Sequence, residues 1–138
     1  MTANTWLTGL SKTITVFLSP TSIRFESEGR SKTVTPLILL RVENGKRVIA
    51  AIGDTPAQVG MNNTKVDLFD GASDADKYDC LVEVLRHGIV SVSKSRWMIR
   101  PSIVCYGASS LHRLLSGYQV GILKRAFEEA GALQVGFK

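Results

Sequence analysis

The residues of this chain able to do covalent or metal chemistry are few and far apart. Its imidazoles are His87 and His112, and its thiols are Cys80 and Cys105. Nucleophilic catalysis needs a base held against a serine, threonine or cysteine, and the one grouping whose spacing allows it is Cys105, Ser109 and His112. No motif surrounds either histidine. His87 is expected in the last turn of a helix, where an imidazole suits the carbonyl end of the dipole, and His112 in the first turn of the next helix, as a packing residue. A zinc centre wants three or four ligands at motif spacing, which two isolated cysteines and two isolated histidines do not supply. Asp70, Asp74, Asp76 and Asp79 lack the ligand spacing and closing glutamate of a calcium loop, so they read as the acidic start of a helix.

Anion recognition has two candidates. Lys94, Arg96 and Arg100 form the densest basic group, with Trp97 among them, and are the candidate contacts to a partner or an anion. A net charge of +5 favours nucleic acid or anionic lipid only where the cations gather on one face, and elsewhere they are scattered, Arg41, Lys46 and Arg47 flanking a turn. Trp97-Met98-Ile99, bracketed by Arg96 and Arg100, has the composition of an exposed anchor for a partner. The second candidate is Gly107-Ala108-Ser109-Ser110, a strand-to-helix turn with a single glycine, far short of a phosphate-cradling loop; an anion at this helix start is the sharper alternative to plain turn chemistry. Trp97, Tyr106, Tyr118 and Phe127 do not alternate with basic residues as an RNA-stacking sheet requires, and are assigned to packing.

The elements that must position these residues follow from periodicity. Thr13–Leu18 and Ile23–Ser27 are short apolar or β-branched runs joined by Ser19-Pro20-Thr21-Ser22, a hairpin. After the polar Glu28-Gly29-Arg30-Ser31 break, Val34–Val42 and Val48–Ile52 flank Asn44-Gly45, a pair that tolerates the positive φ of a type I′ turn. Asp54 to Val59 offers a short helical turn, and Val66–Phe69 an extended piece. Ser73 with Asp76 makes an acidic capping box, and Tyr78, Leu81, Val82, Leu85 and Ile89 recur at helical spacing, predicting a helix from Asp74 to His87 that ends near Gly88. Pro101 leads into Ser102–Tyr106, apolar on both faces and so an interior strand. A helix from Ser109 or Ser110 to Ala130 follows, weakened and open to a break at Gly117 and Gly121, closed by Gly131, and Leu133–Phe137 is the final strand.

The 138 residues are read as a single α/β domain with a mixed sheet, residues 1–12 being a flexible lead. No apolar run approaches membrane-spanning length, and the start lacks a basic segment ahead of a long apolar stretch, so a secretory signal is not expected and the cytoplasm is. Cys80 and Cys105 lie outside any CxxC pair and are expected as buried free thiols.

This order of elements resembles the first, ribonuclease-H-like subdomain of the actin, sugar-kinase and heat-shock-chaperone ATPase superfamily, closest to the bacterial rod-shape-determining MreB family. Three segments carry the resemblance: Arg100-Pro101-Ser102-Ile103-Val104-Cys105-Tyr106-Gly107-Ala108-Ser109-Ser110, the helix ending Leu123-Lys124-Arg125-Ala126-Phe127-Glu128-Glu129-Ala130-Gly131-Ala132, and Val48–Gly53. In that superfamily the first hairpin carries an Asp-x-Gly-Thr loop for metal and phosphate. Phe17-Leu18-Ser19-Pro20-Thr21 stands at that turn here, and the second phosphate loop and adenosine pocket are not expected. The resemblance therefore implies the fold without the nucleotide chemistry: no cofactor, no catalytic residue, and a non-catalytic assembly or adaptor module that meets a protein partner or itself. Nucleic-acid binding through residues 94–100 is the alternative.

Overall fold

The computed structural model describes residues 13–53, 63–69, 75–93, 100–111 and 119–138. They form β1 (Thr13–Leu18), β2 (Ile23–Ser27), β3 (Arg30–Val34), β4 (Leu37–Glu43), β5 (Lys46–Ile52), β6 (Asn63–Asp67), α1 (Ala75–Val92), β7 (Ser102–Tyr106), a 3-10 turn (Ala108–Leu111), α2 (Gln119–Glu129) and β8 (Gln134–Phe137). The strands make a five-stranded mixed sheet in the order β3-β2-β1-β7-β8 and a three-stranded sheet in the order β5-β4-β6. In the larger sheet β1, β2 and β3 are antiparallel, whereas β7 runs parallel to both β1 and β8.

Alternation along each strand decides which face is buried. Ile14, Val16 and Leu18 of β1, Ile23 and Phe25 of β2, and Ile103 and Cys105 of β7 all point to one face and are at most 5% exposed. Helices α1 and α2 pack against each other and cover that face with Leu81, Val84, Leu85, Leu123, Ala126 and Phe127, all buried. The parallel crossovers from β3 through α1 to β7, and from β7 through α2 to β8, bring both helices to the same side.

The fold departs from the sequence expectation at several points: the extended piece Val66–Phe69 is the strand Asn63–Asp67, and the helix expected from Ser109 or Ser110 begins there as a 3-10 turn. The run Val34–Val42 is not one strand: Thr35 and Pro36 make a corner at which the chain leaves the larger sheet for the smaller, with Leu37 N–H bonded back to Thr35 O at 2.7 Å. Proline lacks the N–H a continuous strand would use and pushes its predecessor out of regular geometry. Glu28-Gly29, expected as a mere break, is a two-residue hairpin turn with φ of 47° and 80°, like the anticipated Asn44-Gly45 turn at 53° and 77°. Helix α1 does not end at Gly88 but runs to Val92, so His87 is an exposed mid-helix residue rather than a member of the last turn. Ser91 and Ser93 hydroxyls donate back one turn to the carbonyls of His87 and Ile89 at 2.7 and 2.6 Å near the true end.

Helix α2 ends as its glycine predicts. Gly131, at φ 119°, donates to Glu128 O, and Ala132 N–H donates to Phe127 O at 2.9 Å, a Schellman pattern. Gly121 lies inside α2, and a methyl group there meets nothing within 4 Å. Gly121→Ala is therefore expected to stabilise the chain by about 0.5–1 kcal/mol, seen as a higher urea midpoint at constant slope.

Candidate functional site

In open sheets with parallel strands, ligands gather where the carboxyl ends of adjacent strands present their loops. Here that place is the shared end of β1 and β7. The parallel register pairs Val16 with Cys105 and Phe17 with Tyr106, so the turn after β1 and the turn after β7 stand side by side. Gly107 enforces the approach: its φ is +85°, and a Cβ built there lies 2.2 Å from Leu18 O. Only a residue without a side chain lets the β7 turn come this close.

The turn after β1 is closed on itself. Ser19 N–H donates to Ser22 O at 2.9 Å. Ser22 and Thr21 N–H donate to Ser19 Oγ at 3.0 and 3.4 Å, and the Ser19 and Ser22 hydroxyls are 3.0 Å apart. Pro20 has no N–H to give. Every backbone donor from Ser19 to Ser22 is thus directed at the turn's own oxygens, in a serine-anchored turn. Neither Leu18–Ile23 nor Gly107–Leu111 contains an ionisable side chain, so these two described turns supply no fixed charge of their own for a metal-bound polyphosphate.

Cys105 ends at the same edge but faces the core. Burial pushes its thiol up to about 12, so it stays protonated at neutral pH, the opposite of what an attacking cysteine needs. Ser109 is exposed, and His112 lies outside the described residues. Cys80 is likewise buried and in no disulfide. Among the described residues no three His, Cys, Asp or Glu side chains come together.

The sheet face opposite the helices carries a row that sequence reading missed. Phe17 on β1 stacks on Tyr106 of β7 with ring centroids 5.3 Å apart and planes 14° from parallel. The Arg24 guanidinium of β2 lies 4.4 Å from the Phe17 centroid and is held by Glu26 at 3.1 Å. Each ring or cation contact of this kind contributes about 0.5–1 kcal/mol, enough to order the row across three strands. Tyr106 stays 41% exposed. The available signal was alternation: once Ile14, Val16 and Leu18 face inward, Phe17 must face outward. What the sequence hid was the β1–β7 pairing that brings Tyr106 to it.

A second concavity, of about 410 Å³, lies between the smaller sheet and α1, with Leu40, Ile49, Cys80 and Val82 among its lining. Its rim residue Arg86 pairs with Glu83 and donates to Glu129 O at 3.1 Å, so that cation is spent on joining α1 to the end of α2.

Of the basic segment, Lys94, Arg96 and Trp97 lie outside the described residues. Arg100 is described, and its guanidinium donates to Glu128 O, Gly131 O and Ala132 O at 3.0, 3.3 and 2.8 Å. It clamps the carboxyl end of α2, where a cation is favoured by the dipole and satisfies carbonyls the helix leaves unpaired. No helix among the described residues is long and apolar enough to cross a membrane.

No protein-family model and no curated protein sequence matches the chain. Its fold does match solved structures. MreB5 of Spiroplasma citri bound to ADP superposes with a TM-score of 0.67 at 18% identity, covering 93% of this chain and 38% of that one. The same protein bound to AMPPNP gives 0.64 at 15% identity over 93% and 38% of the two chains. Apo ParM of psk41 gives 0.50 at 9% identity over 92% and 47%. The chain spans less than half the length of these structures, and at such identities the likeness is one of fold. That fold is an actin-like subdomain resembling the corresponding part of MreB.

Proposed function

We propose that the chain is a non-catalytic assembly or adaptor module built on an actin-like subdomain, meeting a protein partner through the sheet face opposite its helices. The observation that carries this reading is the closed turn at Ser19–Ser22. MreB5 has been captured with ADP and with AMPPNP, and a relative that handled nucleotide at this sheet edge would need donors and charge there. In this chain the N–H groups of that turn are consumed internally, and neither Leu18–Ile23 nor Gly107–Leu111 bears an ionisable group. The same edge instead passes into the Arg24–Phe17–Tyr106 row, whose half-exposed aromatic and arginine groups are the types that concentrate binding energy at protein interfaces.

The test is direct. Calorimetric titration of the purified chain with magnesium ADP and magnesium AMPPNP is expected to give no saturable heat up to millimolar nucleotide, and magnesium ATP no phosphate release above buffer. Saturable micromolar binding with turnover would falsify the reading. A partner-capture assay supplies the positive arm: Phe17→Ala with Tyr106→Ala is expected to lower recovery of a captured partner at least tenfold, since two hot-spot aromatics carry about 2 kcal/mol or more. Undiminished capture by that variant would move the interface to another surface.

A further inference from the structure

The four outer strands of the two sheets are not equally protected. An edge strand exposes a row of backbone N–H and C=O groups, and proteins blunt such edges with charged side chains, lysine above all. On the larger sheet, β3 carries exposed Arg30 and Lys32; on the smaller, β5 carries exposed Lys46 and β6 exposed Lys65. The remaining edge is β8, Gln134-Val135-Gly136-Phe137, which has no charge at all. It pairs with β7 on one side, and no strand lies on its other side among the described residues. Apolar surface collects around it. Leu133, immediately before the strand, is 53% exposed, and Val120, in the first turn of the helix that packs beside β8, is 48% exposed. Val135 and Phe137 pack against the core and are partly buried.

We propose that β8 is a self-pairing edge, through which two copies of this chain join their five-stranded sheets into one, antiparallel about a two-fold axis near Val135 and Gly136. The occupant follows from charge. The chain carries +5, and two copies meeting at β3, β5 or β6 would set like cations against each other, whereas at β8 no charge opposes itself. The antiparallel sense follows from Lys138, which lies just past the strand. In a parallel pair the two lysines would adjoin, and in an antiparallel pair they fall at opposite ends. A two-fold contact also needs only that one strand match itself, and Gln134 and Gly136, both exposed, leave room for a neighbouring strand. This pairing is independent of whether the Ser19–Ser22 turn holds nucleotide, so either proposal stands if the other fails.

Two measurements on the 138-residue chain decide it. In sedimentation equilibrium the average mass is expected to rise with concentration from 15.0 kDa toward twice that value. The double variant Gln134→Lys/Gly136→Lys places cations on the edge as the other edges have them, and a side chain at position 136 meets nothing within 4 Å. It is expected to stay monomeric at every concentration with its circular dichroism unchanged. In the second, Gly136→Cys is expected to form a disulfide-linked dimer under mild oxidation, while Ser31→Cys on the β3 edge gives none. This arm holds even where the lysine variant folds poorly. A wild-type chain that stays monomeric to near-millimolar concentration overturns the proposal, as does a dimer that survives the lysines, or a Gly136→Cys variant that crosslinks no better than Ser31→Cys.

Discussion

Gly107→Ala is expected to destabilise the chain by more than about 3 kcal/mol, a large part of the roughly 5–15 kcal/mol available to a domain. Two costs combine. Holding an L-residue with a φ of +85° costs about 1–2 kcal/mol. The new methyl carbon would also stand 2.2 Å from Leu18 O, a backbone atom that cannot rotate away. Relief requires the ends of β1 and β7 to separate, which disturbs the Val16–Cys105 and Phe17–Tyr106 pairs and the core beneath them. Asparagine distinguishes the two costs, because it tolerates left-handed backbone yet still carries a Cβ. If the clash dominates, Gly107→Asn falls nearly as far as Gly107→Ala in a urea titration. Gly136→Ala, which meets nothing within 4 Å, should remain within about 0.5 kcal/mol of the parent. A Gly107→Ala chain within about 1 kcal/mol of wild type would show that the loops tolerate separation, and the closed edge on which the functional reading rests would lose its rigidity.

How much of this was legible in the sequence depended on how local each signal was. Asn44-Gly45 announced its turn because both residue types favour positive φ, whereas Glu28-Gly29 did not, since glutamate at a φ of 47° is no recognised signal. The apolar run from Val34 to Val42 concealed a change of sheet because hydrophobicity reports burial and not which sheet does the burying; only Pro36 marked the corner. Cys80 and Cys105 could be assigned to the core because the apolar residues around them set the period of a helix and a strand. The face each strand buries was implicit in its alternation.

The candidate site was less legible, since its parts meet only through long-range pairing. Ser19–Ser22 and Gly107 each look like ordinary turns. Their adjacency comes from β1 lying parallel to β7, and no local pattern encodes that register. Arg100 shows the converse: in sequence it completes a basic cluster, yet in the fold it bonds the last carbonyls of α2 and the residues after them. Clustering along the chain measured neither its partners nor its availability.

Gly88 is where a sequence rule and the fold disagreed most usefully, and it yields a second large effect. A glycine inside a helix costs about 1 kcal/mol relative to alanine, so propensity alone makes Gly88→Ala stabilising. The fold reverses the sign. A Cβ at position 88 would lie 2.1 to 2.4 Å from three carbons of the Phe25 ring, and that ring is fully buried beneath α1. Overpacking of this kind costs about 1–3 kcal/mol, which exceeds the propensity gain. Gly88→Ala is therefore expected to be net destabilising by up to about 2 kcal/mol, and Phe25→Ala, which empties the site, by about 3–5 kcal/mol. The decisive variant is Gly88→Ala with Phe25→Leu: the smaller side chain leaves room for the methyl group, so the double variant should be less destabilised than the sum of its singles by more than about 1 kcal/mol. Additive singles, or a Gly88→Ala chain more stable than its parent, would mean that the ring yields without cost and that α1 does not lock β2. In that case the position of Arg24, carried on β2, would no longer be fixed by the core beneath it, and the cation at the end of the aromatic row would have to be held from its own face by Glu26 and the Phe17 ring.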